Sequence, residues 1–351
     1  MFKTIKNFDL IDKRVLVRCD FNVPLDESGE ITDDFRIKQT IPTIQYLIDQ
    51  NSKIILMSHL GEPNGVVSLN LKLDKVAEKL AEYLGVAIGK EDDCVGVEVE
   101  GQSTSLKSGK ILLLENLRFH KEETELVDGG VNLDFSKKLS YLGDIYVNDA
   151  FGVCHRDNAS VSGVPKFLPH CGGLLLEKEV TSLDKIIKNP EKPLIAIVGG
   201  KKVETKTKFI NNISKFADYV LVSGLIAKEI IDKNIKFDFP EKIIVPVGKL
   251  DGPDIDDESI RIFEDKISQA ATIVWNGPFG KFEDNQYAKG TLAIANAIIN
   301  SKAFSVVGGG ETVEFLNKQG MIDKFSHVST GGGAMLSYLA GDPMPGLEAL
   351  E

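Results

Sequence analysis

Short apolar runs rich in β-branched residues alternate with amphipathic stretches along the whole chain, and that alternation leaves few folds open. RVLVRCDF, KIILMS, KILLLENL and IYVNDAF follow one another in the first half; LIAIVGG, YVLVSG, KIIVPV, TIVWNG and FSVVGGG follow in the second. Between many of them lie segments such as LKLDKVAEKLAEYLG, residues 71–85, whose apolar positions recur at helical spacing and which end on a glycine suited to a helix C-cap. Strands alternating with helices build parallel sheets covered on both faces. The pattern occurs twice, on either side of VPKFLPHCGGLLLEKEVTSLDKIIKNPEKP, where prolines and glycines precede a helical run. The expectation is an α/β protein of two domains, 1–170 and 171–335, the second opening with a linking helix. No sequence period relates the halves, so they are not a repeat.

A chain of 351 residues, 42% of them hydrophobic, is long enough for two packed cores. Its formal charge of −11 argues against non-specific binding to nucleic acid or to an anionic membrane surface, and no apolar stretch approaches the length of a span. Cys19, Cys94, Cys154 and Cys171 form no CxxC pair, and no cleavable apolar leader precedes them. Reduced thiols in a soluble cytoplasmic protein are expected.

In open α/β sheets, ligands bind beyond the carboxyl ends of the strands. The chemically informative stretches follow the apolar runs directly: DFNVP, SHLGEPNG, ENLRFH, NDAFGVCHRD, GGKK, WNGPFGKFE, GGGE and STGGG. VVGGGET and HVSTGGGAML both run from strand through glycines into helix. There, unpaired N–H groups and the positive end of the dipole meet an anion, and glycine lets phosphoryl oxygens come close. One triplet alone is equally a tight turn; two in one domain favour phosphate. Neither GxxxxGK[ST] nor GxGxxG is present, which removes the P-loop and dinucleotide readings. HRDNAS matches a protein-kinase catalytic loop only superficially, because Ser162 stands where that loop has asparagine. Lys202 and Lys206, four apart after a glycine pair, suggest that an anion is expected at that helix entry. In the first half, Arg18, Arg36, His59, Arg118, His155 and Arg156 lie in or beside strand-end loops. Converging on one rim, they make a basic basin for a phosphorylated carboxylate. Asp20 and Asn22 either bind a substrate hydroxyl or organise the turn before Pro24.

In order and over essentially the whole chain, VLVRCDFNVPLD, LMSHLGEPNG, LLLENLRFH, YVNDAFGVCHR, IAIVGGKKVETK, IVWNGPFGKFE, VVGGGET and HVSTGGGAML…GDPMPGLEAL closely resemble the phosphoglycerate kinase family. The resemblance implies two Rossmann-like domains with hinge bending, and a tail, 336–351, that folds back on the first domain. It implies 3-phosphoglycerate or 1,3-bisphosphoglycerate as ligand of the first domain and ATP or ADP with Mg²⁺ as ligand of the second, in a glycolytic enzyme expected to be a monomer. Asp20, Asn22, Arg36, His59, Arg118 and Arg156 would bind phosphoglycerate. Arg36, Lys202, Gly309 and Gly332 would act on the phosphoryl group in transfer, with Gly333 beside Gly332. Lys206, Gly224, Asn276, Glu283, Gly309, Gly310, Glu311 and Thr312 would bind nucleotide, with Glu311 as metal ligand. Phosphoryl transfer needs alignment and charge neutralisation more than covalent help, which agrees with the lack of an obvious nucleophile.

Four features depart from the family pattern. Glu62 stands where arginine is usual, Asn158 where histidine is common and Glu311 where aspartate binds the metal; the chain is also short, mainly between Lys206 and Trp275. Arg36, Lys202, both glycine turns and a metal carboxylate persist together, which favours an active kinase. The alternative is a non-catalytic relative that binds phosphoglycerate or nucleotide.

Overall fold

The structure is a computed structural model that describes residues 2–200 and 203–351, the backbone alone at 203–205. Lys202 therefore lies outside the described residues. The chain forms two compact units, one running to Lys178 and including Pro343–Glu351, the other Glu179–Asp342.

The first unit carries strands β1 (Arg14–Arg18), β2 (Lys53–Met57), β3 (Ile88–Lys90), β4 (Ile111–Leu113), a small antiparallel hairpin of β5 (Leu126–Val127) and β6 (Gly130–Val131), then β7 (Ile145–Asn148) and β8 (His170–Gly172). Apart from the hairpin they form one parallel sheet in the order β3-β4-β2-β1-β7-β8. Helices α1 (Phe35–Asp49), α2 (Asp74–Leu84), α3 (Val97–Ser105) and α4 (Leu133–Ser140) connect them. The central strands are buried on both faces, as their unbroken apolar runs require. Val15, Val17, Ile54, Leu56 and Val147 join Ile37, Ile44, Val76 and Leu80 of α1 and α2 in one core. Helix α2 ends where the sequence places its cap: Gly85 is left-handed, φ 65°, and its N–H donates to the Ala81 carbonyl.

Strands β3 and β8 are not legible as apolar runs. Each is three residues long, one containing Gly89 and the other His170 and Gly172, and each is held by pairing with a buried neighbour, β4 or β7.

Helix α5 (Leu174–Ile187) contains the division between the units. In the second unit, β9 (Leu194–Val198), β10 (Tyr219–Val222), β11 (Ile243–Ile244), β12 (Thr272–Asn276), β13 (Phe304–Gly308) and β14 (His327–Val328) form a parallel sheet in the order β11-β10-β9-β12-β13-β14. Helices α6 (Val203–Ser214), α7 (Gly224–Asp232), α8 (Asp257–Ser268), α9 (Lys289–Ser301), α10 (Gly310–Lys318) and α11 (Gly332–Leu339) complete it. The later half of α5 is fastened to this unit by a buried carboxylate. Glu179 accepts hydrogen bonds from the Thr330 N–H at 2.6 Å and the Thr330 hydroxyl at 2.8 Å, and lies 2.7 Å from His327 Nε2.

After Asp342 the chain rejoins the first unit, where α12 (Pro345–Glu348) lies against the segment after β7. The Gly346 N–H donates to the Cys154 carbonyl at 2.9 Å, and Asn148 Nδ2 donates to the Gly346 carbonyl at 3.1 Å. Glycine is needed at 346, because a Cβ there would sit 2.6 Å from Val161 Cγ1 and 2.9 Å from Cys154 Cα.

Candidate functional sites

In the first unit the loops beyond β1, β2 and β4 are stitched together by buried amides and hydroxyls. Asn116 Oδ1 accepts from the Leu60 N–H at 3.2 Å and the Arg118 N–H at 3.1 Å, while its Nδ2 donates to the carbonyls of Leu60 and Leu71. Asn22 Oδ1 accepts from the Gly61 N–H at 2.9 Å, and Ser58 Oγ from the Phe21 N–H at 2.8 Å. These bonds fix the backbone from which the basic side chains project. Arg36, on the first turn of α1, donates through Nη1 to the Asn22 carbonyl at 2.9 Å and pairs with Asp20 at 3.2 Å. Asp20 and Asn22 thus organise the turn and also hold Arg36.

His59 is the electrostatic centre of this rim. It is buried, and its pKa is held well below the ordinary value, first by desolvation and then by the charges of Arg18, Arg118, Arg36 and Arg156. The four arginines belong to the strand ends and following segments of one sheet: Arg18 ends β1, Arg36 opens α1, and Arg118 and Arg156 follow β4 and β7. Arg18 Nη2 lies 3.3 Å from His59 Nδ1. A guanidinium can only donate, so Nδ1 accepts and the proton of the neutral ring sits on Nε2, where it can donate to an anion. Arg118 has a side chain only 3% exposed; its Nη1 donates to the Gly61 carbonyl at 2.9 Å, and its Nε is buried without an acceptor. Arg156 is exposed on the outer side.

One expectation is corrected here, and one departure from the family pattern is located. Arg18 does not face the basin's solvent side: it is fully buried, bonded to Ser160 Oγ at 2.7 Å and 3.6 Å from Glu123 Oε1. Asn158 is likewise turned inward, buried, with Nδ2 donating to Glu123 Oε1 at 3.4 Å. Its difference from histidine therefore bears on the support beneath the basin. Glu123, which also accepts from the Ser160 N–H at 3.0 Å and hydroxyl at 2.6 Å, is the supporting residue that sequence reasoning missed. One acid in HKEETE looks like the next, and only packing of that turn against residues 159–163 singles it out.

Among the described residues, one group has metal-ligand character: Asp93, Cys94 and His120 of this unit. His120 Nε2 and Asp93 Oδ1 are already 2.6 Å apart, and burial pushes the Cys94 thiol up, against thiolate ligation.

In the second unit the glycines divide into two kinds. A Cβ on Gly332 would lie 2.5 Å from Gly309 Cα, and one on Gly199 would lie 2.2 Å from the Pro278 carbonyl oxygen, so neighbouring strand-end loops touch backbone to backbone. Gly309 also has φ 103°. At Gly310, by contrast, nothing among the described residues lies within 4 Å of the missing Cβ, and they leave the first turn of α10 open. Thr312 is buried and its hydroxyl accepts from the Gly277 N–H at 2.9 Å; Asn276, also buried, reaches the Gly332 carbonyl at 3.5 Å. Lys206 is nearly buried and donates to the Gly199 carbonyl.

Beside these turns is a cavity of about 240 Å³. Of the expected nucleotide residues, Gly224, Glu283 and Glu311 line it; Lys206, Asn276, Gly309, Gly310 and Thr312 are not on its wall. The wall also takes in Ser223, Leu225, Asp254, Pro278 and Phe282, which sequence reasoning did not select as site residues. Asp254 accepts from the Gly290 N–H at 2.8 Å, anchoring the first turn of α9 to the cavity, and burial raises its pKa. Ser223 Oγ is buried without a partner.

The family model described as phosphoglycerate kinase matches residues 5–238 and 233–342. The chain belongs to the phosphoglycerate kinase family. The phosphoglycerate kinase of Borrelia hermsii is 40% identical over 395 positions, with 99% of each chain covered, and that of Moorella thermoacetica is 41% identical over 392, with 99% of this chain and 98% of the other covered. Among solved structures, the phosphoglycerate kinase of Pyrococcus horikoshii superimposes with a TM-score of 0.89 at 31% identity, covering 100% of this chain and 98% of that one. The phosphoglycerate kinase of Coxiella burnetii gives 0.82 at 32%, covering 100% and 99%. An alignment of 395 positions against a chain of 351 residues leaves at least 44 of the Borrelia phosphoglycerate kinase's positions unmatched in this chain. The two pieces of the family match meet at 233–238, between α7 and β11. That junction falls inside the interval where the sequence reads as abbreviated.

Proposed function

We propose that the chain carries out reversible phosphoryl transfer between 1,3-bisphosphoglycerate and ADP, giving 3-phosphoglycerate and ATP, with the acid site in the first unit and the nucleotide site in the second. The observation that carries the site assignment is geometric: Arg118 and Arg156 reach a common point, their Nη1 atoms 2.6 and 3.6 Å from one carboxylate oxygen, and Arg36 is held on Asp20 in the neighbouring loop, with the buried His59 in the same loop cluster. A phosphorylated carboxylic acid presents two anionic ends; guanidinium forks bind both, and the His59 Nε2 proton adds a neutral donor. Arg36, held by Asp20 and the Asn22 carbonyl, is preset to neutralise charge on the group being transferred.

On the nucleotide side, Gly310 leaves room for phosphoryl oxygens at the open turn of α10, and Lys206 sits between the Gly199 and Gly277 loops. Lys202 is assigned to the transferring group by family resemblance alone. Glu311 suits Mg²⁺ brought in with the nucleotide: it is an exposed carboxylate on the cavity wall, its Oε2 3.7 Å from where a Gly200 Cβ would lie, and hard oxygen donors are what Mg²⁺ takes. When bound, that ion neutralises phosphate charge. Within each unit the residues of this chain bind and orient their own ligand, the acid among the arginines and His59, the nucleotide phosphates at the open turn of α10.

The family match does not favour the non-catalytic alternative. A monomer in the cytoplasm fits the described features: each site is built within one chain, the four cysteines are buried and free, and no described helix is long and apolar enough to cross a membrane. Purified protein given Mg-ATP and 3-phosphoglycerate should form 1,3-bisphosphoglycerate in a coupled assay. Loss of that turnover without acceptor and in Arg36→Ala is expected. Ligand binding without turnover would refute catalysis.

A further inference from the structure

Glu62 reaches into the anion site. Its Oε1 lies 2.6 Å from Arg118 Nη1 and 3.6 Å from Arg156 Nη1. The backbone beneath it is pinned from both sides, with the Gly61 N–H on Asn22 Oδ1 at 2.9 Å and the Gly61 carbonyl on Arg118 Nη1 at 2.9 Å. Gly61 itself is left-handed, φ 64°. The turn therefore delivers residue 62 to the guanidinium groups. We infer that Glu62 is a built-in competitor that occupies the phosphoglycerate anion site, and that the substrate binds by displacing it. The inference rests on the assignment of this basin to phosphoglycerate.

The two partners of this contact differ in a way that makes it a competitor's contact. The Arg118 side chain is 3% exposed, whereas that of Glu62 is 65% exposed. Arg118 has already lost its water, and its Nε is still without an acceptor. Any anion that arrives gains a desolvated cation, and one that also satisfies Nε gains more than Glu62 does. Glu62 remains largely hydrated and gives up side-chain freedom to hold its pose, so its hold is weak. A carboxylate with those properties leaves when a multiply charged acid enters. While present, it neutralises two of the four arginines whose charges act on His59. Beyond simple occupancy, its charge opposes the approach of the substrate. The consequence is a site tuned to respond at higher acid concentration and less readily filled by small inorganic anions.

The test compares the full-length protein with Glu62→Gln and with Glu125→Gln, a charge-matched control whose exposed carboxylate faces Lys121 at 3.9 Å. Calorimetric binding of 3-phosphoglycerate, competition by inorganic sulfate and KM in the coupled assay are read for each. Glu62→Gln should bind 3-phosphoglycerate roughly three- to tenfold more tightly, show the gain in KM, and become more sensitive to sulfate. Glu125→Gln should stay within about twofold of the parent. Equal or weaker acid binding in Glu62→Gln, or an equal gain in Glu125→Gln, overturns the inference. If nothing turns over but Glu62→Gln still binds more tightly, the competitor stands and the kinase reading falls; turnover with unchanged affinity has the opposite meaning.

Discussion

His59 concentrates the chemistry of the first unit in one side chain. Its neutral ring is enforced by burial and by four guanidinium groups, so the folded state resists taking up a proton that the unfolded chain accepts near its ordinary pKa. The sign follows: the contribution is fully present above about pH 6.5 and is lost as pH falls below it, by up to about 1.4 kcal/mol per pH unit. His155, lowered by burial and by Arg156, adds in the same direction. Urea midpoints at pH 7.5 and 5.5 should therefore drop more in the parent than in His59→Asn. A second prediction concerns the support beneath. Glu123→Ala strands Arg18, whose side chain is fully buried, and should cost about 3–5 kcal/mol in denaturant unfolding of the first unit. The sequence shows the basic residues and their strand-end placement. It does not show which arginine faces inward, because that is decided by contacts between residues more than a hundred positions apart, as between Arg18 and Ser160.

At the scale of elements, the long apolar runs name the strands because a parallel strand buried on both faces must be apolar throughout. β3 and β8 escape notice because three residues carry too little pattern. The glycine triplets are visible as strand-to-helix turns, yet a string of identical letters hides a division of labour. Gly332→Ala would force a Cβ to 2.5 Å from Gly309 Cα and should cost about 1–3 kcal/mol along with nucleotide affinity. Gly310→Ala meets no neighbour and stands at the start of α10. It should leave stability unchanged or raise it by up to ~1 kcal/mol, while crowding phosphate and lowering affinity for Mg-ADP. Urea unfolding and calorimetry on the two variants separate the roles. A parallel loss of stability in both would mean that the open turn is structural too.

For the molecule as a whole, the proposed assignment gives each ligand its own unit, which makes protection separable. Hydrogen exchange on the full chain should slow at residues 20–22, 59–62 and 116–118 with 3-phosphoglycerate, and at 199–200, 277–282 and 309–312 with Mg-ADP. Slowing confined to other segments would count against the site assignments. The two-unit plan is legible in the doubled alternation of strands and helices; the return of the chain to the first unit enters the sequence reading only through family resemblance. That return has a consequence for synthesis. Unit two is one uninterrupted stretch, Glu179–Asp342, whereas unit one requires Pro343–Glu351. Domains generally fold as they emerge from the ribosome, the earlier-made one first. Here the half made first is finished last: until Gly346 has been translated, the backbone of Cys154 and the flank of Val161 lack their cover, and the nascent first unit waits, incomplete, for the second to be made.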